Sequence, residues 1–123
     1  MKEKQDTIIC YHIQDRINKI KHLLKSITNY DLFIKDWVRQ YAILKAMIDI
    51  GEASNDLSEK TYNMVSHIEW GKIVGMRNKI SHGYATVELD IVWDAVQKEI
   101  PILEEAIEEL IQKLKIDNKN SNE

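Results

Sequence analysis

Within the nine residues MRNKISHGY, Met76 to Tyr84, stand an arginine, an asparagine, a histidine and a tyrosine. These types suit chemistry at a phosphodiester. A guanidinium presents a fixed fork of donors to anionic oxygens, an imidazole exchanges a proton near neutral pH, and an amide orients its neighbours. On a helix turning about 100° per residue, Gly71, Gly75, Asn78 and His82 fall on one line, and Arg77 sits one residue round with a side chain long enough to swing toward the imidazole. The helix dipole at a C-terminal turn favours an imidazolium at His82, which suits a proton donor or an anion ligand. The same residues also describe an ordinary helix end, because Arg and His are common dipole partners and Gly83 is a common stop. Spacing alone leaves both readings open.

The helix that must position these groups is predicted from Ser66-His67-Ile68-Glu69, which has the S-x-x-E form of a capping box, through Trp70, Ile73, Val74, Met76 and Ile80 to Gly83. Two glycines inside it each cost about 1 kcal/mol relative to alanine, so something is expected to approach their face closely. With one proline, four glycines and no sustained β-type alternation, helices are predicted elsewhere too. Ile9, Ile13, Ile17, Ile20, Leu24 and Ile27 form one stripe. After a polar break at Thr28-Asn29-Tyr30-Asp31, a second apolar line reads Ile34, Val38, Tyr41, Leu44 and Ile48, carried on through Gly51 to about Leu57. Ser58 could cap a short turn. Asp90 is placed to cap the last helix, marked by Val92, Val96, Leu103, Ile107, Leu110 and Leu114. Pro101 should kink that helix or split it in two. The expected architecture is all-α, an antiparallel up-and-down bundle of four principal helices. It forms a single domain over residues 1–116, and a polar, frayed tail follows over 117–123.

Bulk properties narrow the function classes. A chain of 123 residues and 44% hydrophobic content supports one core. Net charge is −3, against a protein that coats nucleic acid by overall positive potential. The charge is uneven, at +3 for residues 1–30, −3 for 31–59, +3 for 60–87 and −6 for 88–123, so the motif lies in a basic segment. One cysteine, Cys10, excludes an internal disulfide framework and reads as a small core residue. No apolar run approaches membrane-spanning length, and the expected location is cytoplasmic. His12, His22 and His67 lack metal-ligand spacing, so neither a metal nor another cofactor is called for. Trp37, Trp70 and Trp93 read as core or interface anchors. Glu52 either faces a cleft or pairs inward.

The motif resembles the R-x4-H-x-Y signature of HepT-like ribonuclease toxins in the HEPN superfamily. The likeness extends to IGEAS at Ile50 to Ser54, IEWGKIVGMRNKISHGY at Ile68 to Tyr84, VWDAV followed by IPIL, and Asp36 with Gln40 in the second helix. It implies metal-independent RNA cleavage at a composite site where two protomers of a homodimer pair. Arg77 and His82 would be catalytic and Asn78 supporting. It further implies that Tyr84 is AMPylated by an MntA-like nucleotidyltransferase antitoxin. The alternative is a non-catalytic nucleotide-binding or adaptor subunit that partners a minimal nucleotidyltransferase.

Overall fold

The structure is a computed structural model that describes residues 2–81 and 88–121. Its elements are α1 (Lys2–Leu24), α2 (Tyr30–Ile34), α3 (Trp37–Asn55), α4 (Glu59–Met64), α5 (Trp70–Ser81) and α6 (Leu89–Ser121), with no strand among the described residues. The all-α bundle predicted from periodicity is what forms. Four long helices carry it, and α2 and α4 are single-turn corners between them. Helix α3 packs against α1 on one side and α5 on the other, while α6 closes on α1.

The core follows from the isoleucine stripe of α1. Ile13, Ile17 and Ile20 are fully buried and meet Ile43, Met47 and Ile50 of α3 and Leu103, Ile107, Leu110 and Leu114 of α6 in one cluster. Cys10 belongs to this cluster, and burial, reinforced by the negative charge of Asp6, pushes its thiol up to about 12. A neutral thiol is a packing group and not a nucleophile.

Several local expectations are corrected. The second helix is not continuous from Ile34. It breaks at Lys35-Asp36, where Asp36 caps α3 by accepting from Arg39 N at 3.1 Å. The predicted line holds at Leu44 and Ile48, which are buried with Ile43, Met47 and Ile50, while Ile34, Val38 and Tyr41, nearer the α2–α3 corner, are exposed. The S-x-x-E capping box does not form. Val65 and Ile68 are buried in a turn, and α5 starts after it, with the Glu69 carbonyl accepting from Lys72 N and Ile73 N. At α6 the carbonyl of Glu88 accepts the first helical bonds from Ile91 and Val92, which leaves Asp90 in the first turn and not at the cap. Pro101 does not split α6. It sits at an exposed position, and the buried line Val96, Ile100, Leu103 and Ile107 holds both sides to the core. Ser58 does cap α4 through Thr61 N. The helical trace of α6 runs on to Ser121, with Asn118 Nδ2 donating to Thr7 Oγ1 at 3.3 Å.

Polar ties fix the helices in register. Asp6 is buried and accepts from Ser58 N, Ser58 Oγ and Thr61 Oγ1, which staples α1 to the start of α4. Lys113 Nζ donates to Met64 O at 2.9 Å, meeting an end carbonyl of α4 from α6. Between α1 and α3, Asp49 accepts from Arg16 Nε at 2.8 Å and Lys45 Nζ at 2.9 Å. Burial pushes the Asp49 carboxyl up, but those two bonds and the charges behind them outweigh it and hold the group below its ordinary value.

Helices α3 and α5 approach closely at Gly51. A Cβ built there would lie 2.8 Å from Arg77 Cβ and 3.3 Å from Ile73 O. Glycine is thus what lets α5 settle onto α3 at the level of Arg77.

Two outcomes are expected. A carboxyl depressed in the folded state stabilises above the ordinary carboxylate range and loses that contribution as pH falls through its folded value. Asp49→Asn should therefore cost about 1 kcal/mol at neutral pH, and the gap to wild type should close below pH ~4, as read by urea denaturation across pH. Gly51→Ala should cost about 1–3 kcal/mol in the same assay, because the atoms met are main chain and the root of a side chain and α5 itself must shift.

Candidate active site

Helix α5 packs with one face and leaves another open. Ile73 and Ile80 are buried, against α3 and the core. Gly71, Gly75 and Met76 look instead onto a groove shared with Ile91, Val92 and Ala95 of α6, with a volume of about 730 Å³. Arg77 is rooted against Gly51 of α3, and Asn78, next to it in sequence, is exposed.

The guanidinium of Arg77 is half-buried and donates from Nε and Nη2 to Asn78 Oδ1 at 3.3 and 3.2 Å. Asn78 is exposed, so the amide steadies the arginine without covering it. The guanidinium is a planar fork of donors of the kind that matches the oxygens of an anion. His82 and Tyr84 lie outside the described residues, so the structure describes one side of the motif, Arg77 with Asn78, at the end of α5.

The glycine face is open. A Cβ at Gly71 or Gly75 would meet nothing within 4 Å, so no described part of the chain makes the close approach that two helical glycines suggested. Helices α5 and α6 are not among the closely packed pairs, and their seam is bridged by Lys72 Nζ to Glu99 Oε1 at 2.7 Å. The hydrogen bond to Glu99 and its charge raise the Lys72 pKa.

Other sequence candidates fall into place. Asp36 and Gln40 shape the α2–α3 corner, Asp36 as the cap of α3 and Gln40 by donating from Nε2 to Phe33 O at 2.9 Å. Backbone and side-chain bonds from Arg39 hold the Asp36 carboxyl below its usual range. Glu52 is exposed and does not turn inward. Trp70 is buried against Tyr62, and Trp93 packs on Phe33 with ring centres 5.2 Å apart, so both are anchors. Trp37 is not. It is 66% exposed, beside Tyr41 at 57%, with ring centres 5.8 Å apart. Reading Ile34, Val38 and Tyr41 as a core line hid this patch, and the signal that could have found it is the Asp36 cap, which restarts the helix there. His12, His22 and His67 are exposed. No helix among the described residues is long and apolar enough to cross a membrane.

The chain is similar to a candidate RNase of Caldanaerobacter subterraneus subsp. tengcongensis, at 36% identity over 104 residues that cover 85% of this chain and 92% of that one. It is 29% identical over 121 residues to a candidate RNase of Methanocaldococcus jannaschii, covering 98% of this chain and 99% of the relative. A Thermococcus cleftensis protein named "Probable ribonuclease HepT" is 31% identical over 98 residues, 80% of this chain and 88% of its own. No solved structure matches. The model of the family described as Ribonuclease HepT-like matches residues 13–110, from the first buried turns of α1 to the middle of α6 and across the whole of α5. On that match, which covers most of the chain, and on its relatives, the chain belongs to the HepT-like ribonuclease family.

Proposed function

We propose that this protein is a homodimeric, metal-independent endoribonuclease, the toxin of a cytoplasmic toxin–antitoxin pair. The observation that carries the reading is the placement of Arg77. In a chain of a ribonuclease family, the arginine of the R-x4-H motif is rooted on Gly51, steadied by Asn78 and open to solvent near the end of α5.

The chemistry follows from the residue types. One His82 imidazole takes the proton of a ribose 2′-OH, O2′ bonds to phosphorus, and the P–O5′ bond breaks as the leaving oxygen takes a proton from the imidazolium of the second motif. The products are a 2′,3′-cyclic phosphate and a free 5′-hydroxyl. Arg77 holds the negative charge that builds on the equatorial oxygens, and Asn78 keeps its guanidinium aimed. Pairing two copies also gathers two basic segments into one cleft, which helps an acidic protein hold an anionic substrate.

Silencing uses the neighbouring tyrosine. The Tyr84 hydroxyl attacks the α-phosphate of ATP bound to an MntA-like nucleotidyltransferase antitoxin, pyrophosphate leaves, and the tyrosine carries AMP. The added phosphodiester brings negative charge and bulk beside a site meant for RNA phosphate, so repulsion and occlusion act together.

Purified wild type should cut RNA and leave cyclic-phosphate ends. Arg77→Ala should lower the rate about 10²- to 10³-fold and His82→Ala about 10²- to 10⁴-fold, with circular dichroism unchanged. Equal activity in wild type and both variants would refute catalysis at the motif and favour an adaptor role. Incubation with the nucleotidyltransferase and ATP should add the mass of one or more AMP groups to wild type and none to Tyr84→Phe, and an unmodified wild-type chain removes Tyr84 from the site.

A further inference from the structure

Gly51 is buried in α3, and the room where its side chain would stand is taken by α5. A Cβ added there would lie 2.8 Å from Arg77 Cβ and 3.3 Å from both Arg77 N and Ile73 O. Carbon atoms in contact rest about 3.5–4.0 Å apart, so even an alanine demands a retreat of roughly 0.7 Å or more. None of the three atoms can give way by a change of rotamer. Two are main chain and the third is bonded directly to the Arg77 Cα, so α5 itself must move. Nor is the guanidinium protected from such a shift. Its Nε and Nη2 donate to Asn78 Oδ1, which belongs to the same helix, so root and tip of the arginine travel together with α5.

From this we infer that Gly51 is a positioning residue for RNA cleavage: by having no side chain, it sets how far above α3 the Arg77 guanidinium is carried. The inference rests on the ribonuclease reading above and gives a part in it to a residue of another helix, 26 positions away. Donors that stabilise developing charge act at about 2.7–3.1 Å from the oxygen that bears it, and a site tolerates misplacement of only about 0.5 Å. The retreat that a Cβ at Gly51 forces is larger. Because the charge on the equatorial oxygens builds in the transition state, the loss falls on kcat more than on KM. Gly51 touches no reacting atom, and its whole effect passes through the arginine.

The test is a double-mutant cycle on cleavage of a labelled RNA oligonucleotide, under conditions where circular dichroism shows each variant folded. Gly51→Ala should lower kcat about 10- to 100-fold and leave KM within about threefold. Added to Arg77→Ala, the same substitution should change the remaining rate by less than about twofold, since the group it displaces is gone. Asp49→Asn, two residues away on α3 and tied to α1, is the stability control and should keep kcat within about twofold. A wild-type rate in Gly51→Ala overturns the positioning role and leaves a cutting enzyme intact, as does a loss of equal size in both backgrounds. Should Gly51→Ala not fold, Gly51→Ala/Arg77→Gly, which removes the Cβ that the alanine meets, should recover the helical signal, and a double variant as unfolded as the single one overturns the inference. Wild type that does not cut RNA, or that Arg77→Ala equals, overturns the ribonuclease reading at this motif and the role of Gly51 with it.

Discussion

The approach of α5 to α3 at Gly51 is the contact on which the rest of the arrangement depends. Packed helices ordinarily keep about 8–10 Å between axes because side chains stand between them. At Gly51 there is no side chain, and the Arg77 Cβ and the Ile73 carbonyl occupy the space that one would need. This brings the arginine to the edge of α3 with its root fixed, so that only the outer part of a long, rotamer-rich side chain remains to be ordered. Asn78 supplies that order through its Oδ1. Helix contact, side-chain fixation and the display of a cation are one chain of causes that starts from a missing methyl group.

The same packing leaves other surfaces unfilled. Because α5 is committed to α3, and α6 to α1, the seam between α5 and α6 stays open and is bridged by the Lys72–Glu99 pair. Solvated ion pairs of this kind contribute little stability, so the seam is defined more by what the helices pack against elsewhere than by attraction across it. The glycine pair at Gly71 and Gly75 lies on that open side. Elsewhere on the surface, Trp37 and Tyr41 of α3 stay exposed as an edge-to-face pair.

Much of the fold was legible from pattern. The isoleucine steps of α1 and the apolar line of α6 name their buried residues almost completely, because each helix has one wide contact face and an uninterrupted period. Helix α3 was harder to read. Its neighbours on both sides bury residues all round the inner half of its later turns, so the line drawn from Ile34 holds at Leu44 and Ile48 but its first three residues, near the break at Lys35-Asp36, end in solvent. Caps misled for a related reason. Ser66 and Asp90 have the right chemistry for helix starts, yet the turn containing Val65 and Ile68 is held by burial, and helix starts move to wherever the backbone leaves that turn.

The sequence by itself determined the class of fold, the family, and the identity of the residues proposed for the chemistry, because helical periodicity and an ordered motif are properties of residue order. Arg77 and Asn78 could be singled out without coordinates. Only the tertiary structure decided that Gly51 is the seat of Arg77, that Gly71 and Gly75 face an open groove and not a packed helix, and that Trp37 belongs to the surface. Those facts depend on which helix lies against which and at what height, and contacts between residues 26 positions apart, as at Gly51 and Arg77, leave no mark in local spacing.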